Sequence, residues 1–334
     1  MGDVAGVGPE IIARAWPELL AICRPLVVGD PGWLRRGLRI AGMNGDICVV
    51  TRPDEATASR DVLPCLSGSQ EDLSAVQAGK VSAASGKAAY DFLCTAIDLT
   101  RAGQADGIVT APLHKEGLKE ARLPYPGHTE ILAERSGVSS YGMMLYARGP
   151  GLPRGLGVVH VTLHMALHDV FCHLSERNVS DKIRLLDAML PRLQEGRRPR
   201  IGVAALNPHA SDGGLFGDQE ERIIQPAVEQ ARRAGIDASG PWPADALFVR
   251  ARDGDFDGIV AMYHDQGHIP LKLLAGRSAV NITVGLPIVR TSVAHGTAYD
   301  IAGRGVADAS SLIEAARTAA LLCKGEAVVT ATAQ

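Results

Sequence analysis

The chain has 334 residues, 46% of them hydrophobic, 21% charged and 4% aromatic, with a formal net charge of −3. That composition excludes a disordered or fibrous chain, and the short basic pairs Arg35-Arg36 and Arg197-Arg198 give no broad electropositive face for nucleic acid. No apolar run approaches the roughly 18 residues of a membrane span, and the start holds Asp3 among glycines where an export signal has basic residues and an apolar core. A soluble cytoplasmic protein, with neither nucleic acid nor membrane as partner, is expected.

The length exceeds what a single core usually fills, so two domains are expected. Short apolar runs alternate with longer amphipathic segments, the succession that gives an α/β fold with a mostly parallel sheet. In chain order the pattern predicts a helix over 9–20, strands over 26–29 and 47–50, a helix over 85–102 and a strand over 107–110. A helix over 129–136, a strand over 157–162 and a helix over 180–190 follow. Residues 191–200, with Pro191, Pro199 and clustered arginines, read as a surface connection. Beyond it come a strand over 201–206, a helical segment over 218–234 that Pro226 kinks or restarts, and a strand over 258–262. The six scattered cysteines lack C-x-x-C spacing and sit mostly in apolar stretches, as reduced thiols do.

Three strand-like runs end in a histidine: His164, His209 and His264. Ligands in open α/β sheets bind beyond the carboxyl ends of strands, so these side chains are expected to converge. A single such histidine is more often a hydrogen-bonded core or loop residue, and the spacing is no metal motif in itself. Neutral imidazoles would suit Zn, Co, Ni or Fe over the oxygen-seeking Mg. Residues 263–272 form a stretch dense in donors and acceptors, read as a loop in which Gly267 permits a tight turn. The 207–214 segment is either a plain loop or a Gly-rich turn whose N–H groups face an anion. Thr129 is an N-cap, or its helix start holds phosphate together with His128. Lys272, Asn281 and Arg290 offer cations and an amide suited to a doubly charged phosphate, surface ion pairing being the ordinary alternative. Asp245 either assists proton transfer or caps a helix over 246–250. Gly6 and Gly8 do not make a Rossmann fingerprint, because no strand precedes them and the spacing is incomplete.

These segments, with Gly6-Val7-Gly8-Pro9-Glu10, Thr110-Ala111-Pro112-Leu113-His114-Lys115, Gly127-His128-Thr129-Glu130, Asn207-Pro208-His209-Ala210, Pro243-Ala244-Asp245, Tyr263-His264-Asp265-Gln266-Gly267 and Arg290-Thr291-Ser292 running on to His295-Gly296-Thr297, resemble the 4-hydroxythreonine-4-phosphate dehydrogenase family of pyridoxine biosynthesis over nearly the whole chain. The resemblance implies an isocitrate/isopropylmalate dehydrogenase-like fold, two α/β domains with a cleft between them. Residues 1–126 with 296–334 would form the first domain; residues 127–295 would form the second, carrying most metal and substrate residues and the dimer interface. It also implies a metal held by His164, His209 and His264 in an active site shared across a homodimer. Zinc fits those ligands best, with Co, Mn, Ni or Mg as alternatives. Substrate contacts carry over to His128, Thr129, Lys272, Asn281 and Arg290, and Asp245 with Lys272 would stand at the reacting centre. NAD, or NADP, would accept a hydride from the C3 hydroxyl of a small phosphorylated acid, and the β-keto acid would lose CO₂. No residue is assigned to the dinucleotide.

The chain departs from that pattern in three places. It begins almost at Gly2-Asp3, where relatives have a strand upstream, so a first strand is expected to be missing. Val4 replaces a common proline, and Met165-Ala166 stand beside the first metal histidine in place of the usual residues. His268 resembles a subgroup acting on 4-phospho-D-threonate or 4-phospho-D-erythronate. Competing readings are a dihydrodiol dicarboxylate dehydrogenase of the same family, a phosphate acyltransferase-like enzyme without NAD, a hydrolase using a three-histidine metal, and a non-catalytic anion-binding module. Lys272, Asn281 and Arg290 favour a phosphorylated ligand.

Overall fold

The computed structural model describes residues 1–149, 151–276 and 278–331. Contacts divide the chain into two compact units, Met1–Ser139 with Leu286–Gln334, and Ser140–Gly285.

The first unit opens with α1 (Gly8–Ile22), where Pro9 stands in the first turn and so removes no helical hydrogen bond. Its inward face, Ile11, Ala15, Trp16 and Leu19, follows the helical repeat and packs with Leu34, Leu63 and Leu312 in the unit's main core. Next come β1 (Val27–Gly29), α2 (Pro31–Ala41), β2 (Asp46–Val50) and β3 (Val62–Ser67). Asp30 caps α2 by accepting the Trp33 N–H at 2.7 Å, and left-handed Gly42 ends it. The three strands pair in parallel in the order β1-β3-β2. The chain continues through α3 (Ala83–Arg101), β4 (Gly107–Thr110), α4 (Lys115–Glu120) and α5 (His128–Ser136).

The second unit comprises β5 (Gly142–Gly149), β6 (Leu152–His160), α6 (Val170–His173), α7 (Glu176–Leu193), β7 (Ile201–Ala204), α8 (Gln225–Arg233), β8 (Ala238–Trp242), α9 (Ala244–Arg252), β9 (Gly258–Ala261), α10 (His264–Ala275) and β10 (Val280–Val284). Its strands lie in the order β10-β5-β6-β9-β7-β8. From β6 to β8 all neighbours are parallel, whereas β5 runs antiparallel to both β6 and β10. The mostly parallel sheet expected from sequence is therefore mixed in this unit. Leu156, Val158, Leu247, Ile259 and Leu271 are fully buried against one another on one side of it. The chain then returns to the first unit as β11 (Val289–Val293), parallel to β4, and α11 (Ser310–Ala331).

Two local expectations are overturned. Residues 263–272 are the start of a helix, not a loop: Gly267 sits inside α10, where a Cβ would fall 2.4 Å from the buried His160 Nε2. Close approach of helix to strand, and not a turn, is what demands glycine there. The helix α7 runs past Pro191 to Leu193, and proline there forfeits only the one N–H bond that would reach the Asp187 carbonyl; the connection begins only at Gln194. Pro226 begins a fresh α-helical turn, after a π-helical turn over Glu220–Ile224. The six cysteines are unbridged, with Cys65 and Cys94 buried but Cys23, Cys48 and Cys172 exposed, so fewer are buried than their apolar surroundings suggest. Among the described residues, no helix is long and apolar enough to cross a membrane.

Candidate active site

Strands β6, β9 and β7 are direct parallel neighbours, with Gly157 and Ile201 both in register with Gly258. Their carboxyl ends therefore share one edge of the sheet, and the three histidines leave from that edge. Beyond β6, Thr162 is tied to the chain beyond β9 by its N–H (3.1 Å) and Oγ1 (2.7 Å), both donating to the Met262 carbonyl. This leads His164 into the solvent-facing segment beside the first residue of α10, His264, with ring centres 5.6 Å apart. His209 stands exposed in a separate turn after β7. Among the described residues, no group of three or more His, Cys, Asp or Glu stands close enough within one chain to hold a metal ion.

The donor chemistry of the His164–His264 pair nevertheless fits a transition metal. His264 Nδ1 lies 2.6 Å from Asp265 Oδ1, so the carboxylate fixes the ring hydrogen on Nδ1 and leaves the Nε2 lone pair available. The ring is also backed from behind. His268 stacks on it with centres 3.7 Å apart and planes 12° from parallel. His268 Nδ1 lies 3.2 Å from the His264 carbonyl and 3.1 Å from His160 Nε2. Since a carbonyl only accepts, the His268 hydrogen resides on Nδ1. Burial, reinforced by the neighbouring imidazoles, pushes His160 down to about 3 and His268 to about 4, so both are neutral at pH 7.

The turn that carries His209 is strained. His209, Ala210, Ser211 and Asp212 have φ of 55°, 53°, 71° and 44°, and Gly213 and Gly214 continue the left-handed run at 68° and 98°. Each non-glycine residue in this region costs roughly 1–2 kcal/mol, so the surrounding structure must hold the turn in place.

A second group of the residues expected at the site lies within the first unit. Arg290, on β11, is 2% exposed and donates from Nη2 to Thr110 Oγ1 at 2.6 Å. Burial pushes its guanidinium down to about 9, countered by the Glu130 carboxylate, which leaves it cationic at pH 7. His128, first residue of α5, is held well below its ordinary pKa by burial and then by the Arg290 charge, and is neutral. The helix has no side-chain cap at Gly127, so the first-turn N–H groups of His128 and Thr129 are open to an anion. Thr129 is the second residue of the helix and not its cap.

The remaining site residues lie in the second unit. Lys272 is exposed on α10, four residues after His268 and eight after His264, and so shares their face. Asn281 lies on β10 opposite Leu145, its Oδ1 buried with no hydrogen-bond partner among the described residues. Asp245 is exposed in the first turn of α9, whose cap is Pro243, so the capping alternative for Asp245 is overturned. The glycines near the chain start serve packing: a Cβ on Gly6 would meet the Thr297 carbonyl at 2.8 Å and one on Gly8 the Met1 carbonyl at 2.6 Å. Sequence reasoning did not foresee Thr110 as the partner of Arg290, Asp265 as the orienter of His264, the packing of His160 and His268 behind that ring, or Glu220.

A family model described as pyridoxal phosphate biosynthetic protein PdxA matches residues 21–319. The chain belongs to the PdxA family. Its relatives include a 4-hydroxythreonine-4-phosphate dehydrogenase of Beijerinckia indica subsp. indica, 49% identical over 93% of this chain and 90% of that protein. A D-threonate 4-phosphate dehydrogenase of Cupriavidus necator is 46% identical over 96% of this chain and 95% of that one. The crystal structure of a 4-hydroxythreonine-4-phosphate dehydrogenase from Klebsiella pneumoniae superposes with a TM-score of 0.86 at 40% identity, covering 97% and 96% of the two chains. This PdxA-family chain is thus an α/β oxidoreductase of the dehydrogenase type.

Proposed function

We propose that this protein oxidises the C3 hydroxyl of a small 4-phosphorylated hydroxy acid with NAD, and that the resulting β-keto acid then loses CO₂. The observation that carries the reading is the His164–His264 pair at the common edge of β6, β9 and β7, with Asp265 orienting the second ring. A divalent metal held by His164, His209 and His264, best a zinc-like ion, would supply Lewis acidity to the C3 oxygen.

The chain's own groups do the rest. In the first unit Arg290 and the open N-terminus of α5 offer a cation and N–H groups to an anionic group of the substrate; in the second Lys272 and Asn281 offer a cation and an amide. Asp245 accepts the hydroxyl proton as hydride passes to NAD, and Lys272 offsets charge that develops when CO₂ leaves. The active site is shared by two copies of the chain. Support for this comes from Leu167, Phe171, Leu215, Phe216 and Leu273, which are 65%, 51%, 73%, 46% and 81% exposed on the segments bearing the three histidines. Large apolar side chains left exposed on functional segments are the kind that a second copy of the chain would cover.

NADH formation with 4-phosphohydroxy-L-threonine and with D-threonate 4-phosphate, each with and without chelator, tests the proposal. Turnover of at least one, abolished by chelator and restored by Zn or Co, is expected. Absence of turnover on both with metal supplied would overturn it. Of the two, D-threonate 4-phosphate is favoured by His268, whose position in the sequence resembles that subgroup.

A further inference from the structure

Glu220 has no place in the chemistry above. It is 5% exposed, in the π-helical turn that precedes α8. Its Oε1 accepts the backbone N–H groups of Leu206 and Asn207, both at 2.8 Å, and its Oε2 accepts from Asn207 Nδ2 at 2.9 Å. These are the last residues before Pro208 and His209. One carboxylate thus closes the base of the whole 207–219 excursion.

The excursion is drawn together above that clasp. Asn207 Nδ2 also donates to Gln219 Oε1 at 2.8 Å, Ser211 Oγ donates to the Gly217 carbonyl, and the Phe216 N–H donates to the Ser211 carbonyl at 3.2 Å. A Cβ on Gly217 would fall 2.9 Å from Asn207 Nδ2, so the chain returns in direct contact with its own start. The six left-handed residues lie between these ties, and π-helical turns recur where a helix is adapted to a site.

We infer that Glu220 is the positioning residue for His209: it fixes the direction in which the chain leaves β7 and holds the left-handed turn against relaxation. The inference rests on the reading of His209 as a metal ligand. Glutamine cannot substitute, because its Nε2 would present a donor to the Asn207 amide donor while its Oε1 still accepted the two backbone N–H groups. Reversing both partners restores the match: in N207D/E220Q the new amide donates to the new carboxylate, and the Gln219 amide turns to donate as well.

The test uses the full-length protein, with Co(II) as the metal probe, read by its visible absorption, and hydrogen exchange over 207–217 as a metal-independent readout. E220Q is expected to bind Co(II) 10–100-fold more weakly with an altered visible spectrum, as loss of groups behind a ligand does. It should also exchange faster over 207–217 while exchange elsewhere is unchanged, and N207D/E220Q should recover most of both. Wild-type spectrum, affinity and exchange in E220Q would overturn the inference. If the wild-type protein itself takes up no Co(II), the metal reading falls and exchange alone decides, unchanged exchange in E220Q overturning the positioning role. Should E220Q not fold, N207A, which keeps the backbone bonds to Oε1 and loses the side-chain bonds to Glu220 Oε2 and Gln219 Oε1, is expected to shift the same readouts less; no shift would overturn it.

Discussion

The sequence singled out Arg290 as a candidate phosphate ligand, with a surface ion pair as the ordinary alternative; its burial and its bond to Thr110 were not legible, since they depend on β11 lying beside β4 across 180 residues of sequence. Substitution tests that geometry. Arg290→Lys keeps the charge and loses the planar fork, so KM for the phosphorylated substrate should rise about 10–100-fold, or about 1.4–2.8 kcal/mol, with kcat little changed. Steady-state kinetics reads this, and an unchanged KM would remove Arg290 from the site. The His160–His268 pair has a consequence for pH. An unfolded histidine titrates near 6.5, whereas folded His160 titrates at about 3, so below 6.5 the unfolded chain binds the extra proton. Stability from this group is complete above pH 6.5 and is lost as pH falls toward 3, by up to about 1.4 kcal/mol per pH unit. Urea unfolding at neutral pH and at pH about 4.5 should show a larger acid loss in the wild type than in His160→Gln; equal losses would mean that His160 is not held neutral by the fold.

At the scale of elements, the helix over 85–102 and the strands over 107–110 and 258–262 could be placed to within two residues because their periodicity and caps are local. What escaped was set by contacts distant in sequence. The donor-rich stretch of α10 looked like a loop because His264, His268 and Lys272 are polar, yet the helix buries Gln266, Gly267 and His268 together with Leu271. Likewise the antiparallel strand β5 left no mark that distinguishes it from a parallel one. Gly267→Ala distinguishes the packing account from simple helix propensity. Propensity alone predicts a gain of about 1 kcal/mol, but the added methyl collides with His160, so a net loss of about 1–3 kcal/mol is expected. Denaturant unfolding decides between them by sign.

At the scale of the whole molecule, the three histidines were readable as a set only because strand ends in an α/β sheet gather at one edge, and β6-β9-β7 adjacency supplies that edge. A single chain brings His164 and His264 together and leaves His209 apart, an arrangement that a second copy of the chain would complete. Mixing two inactive variants, H209A and H264A, should then regenerate up to about a quarter of wild-type turnover through hybrid dimers with one intact site; no recovery in verified hybrids would show that each chain works alone. The most direct measurement of the central claim is a titration of chelated protein with Zn(II) or Co(II), following NADH formation from the phosphorylated substrate. Turnover is predicted to rise with added ion and to level at about one ion per chain, and to stay near zero throughout in H164A, H209A and H264A. Full turnover by the chelated protein, or unimpaired turnover in any of the three variants, would contradict it.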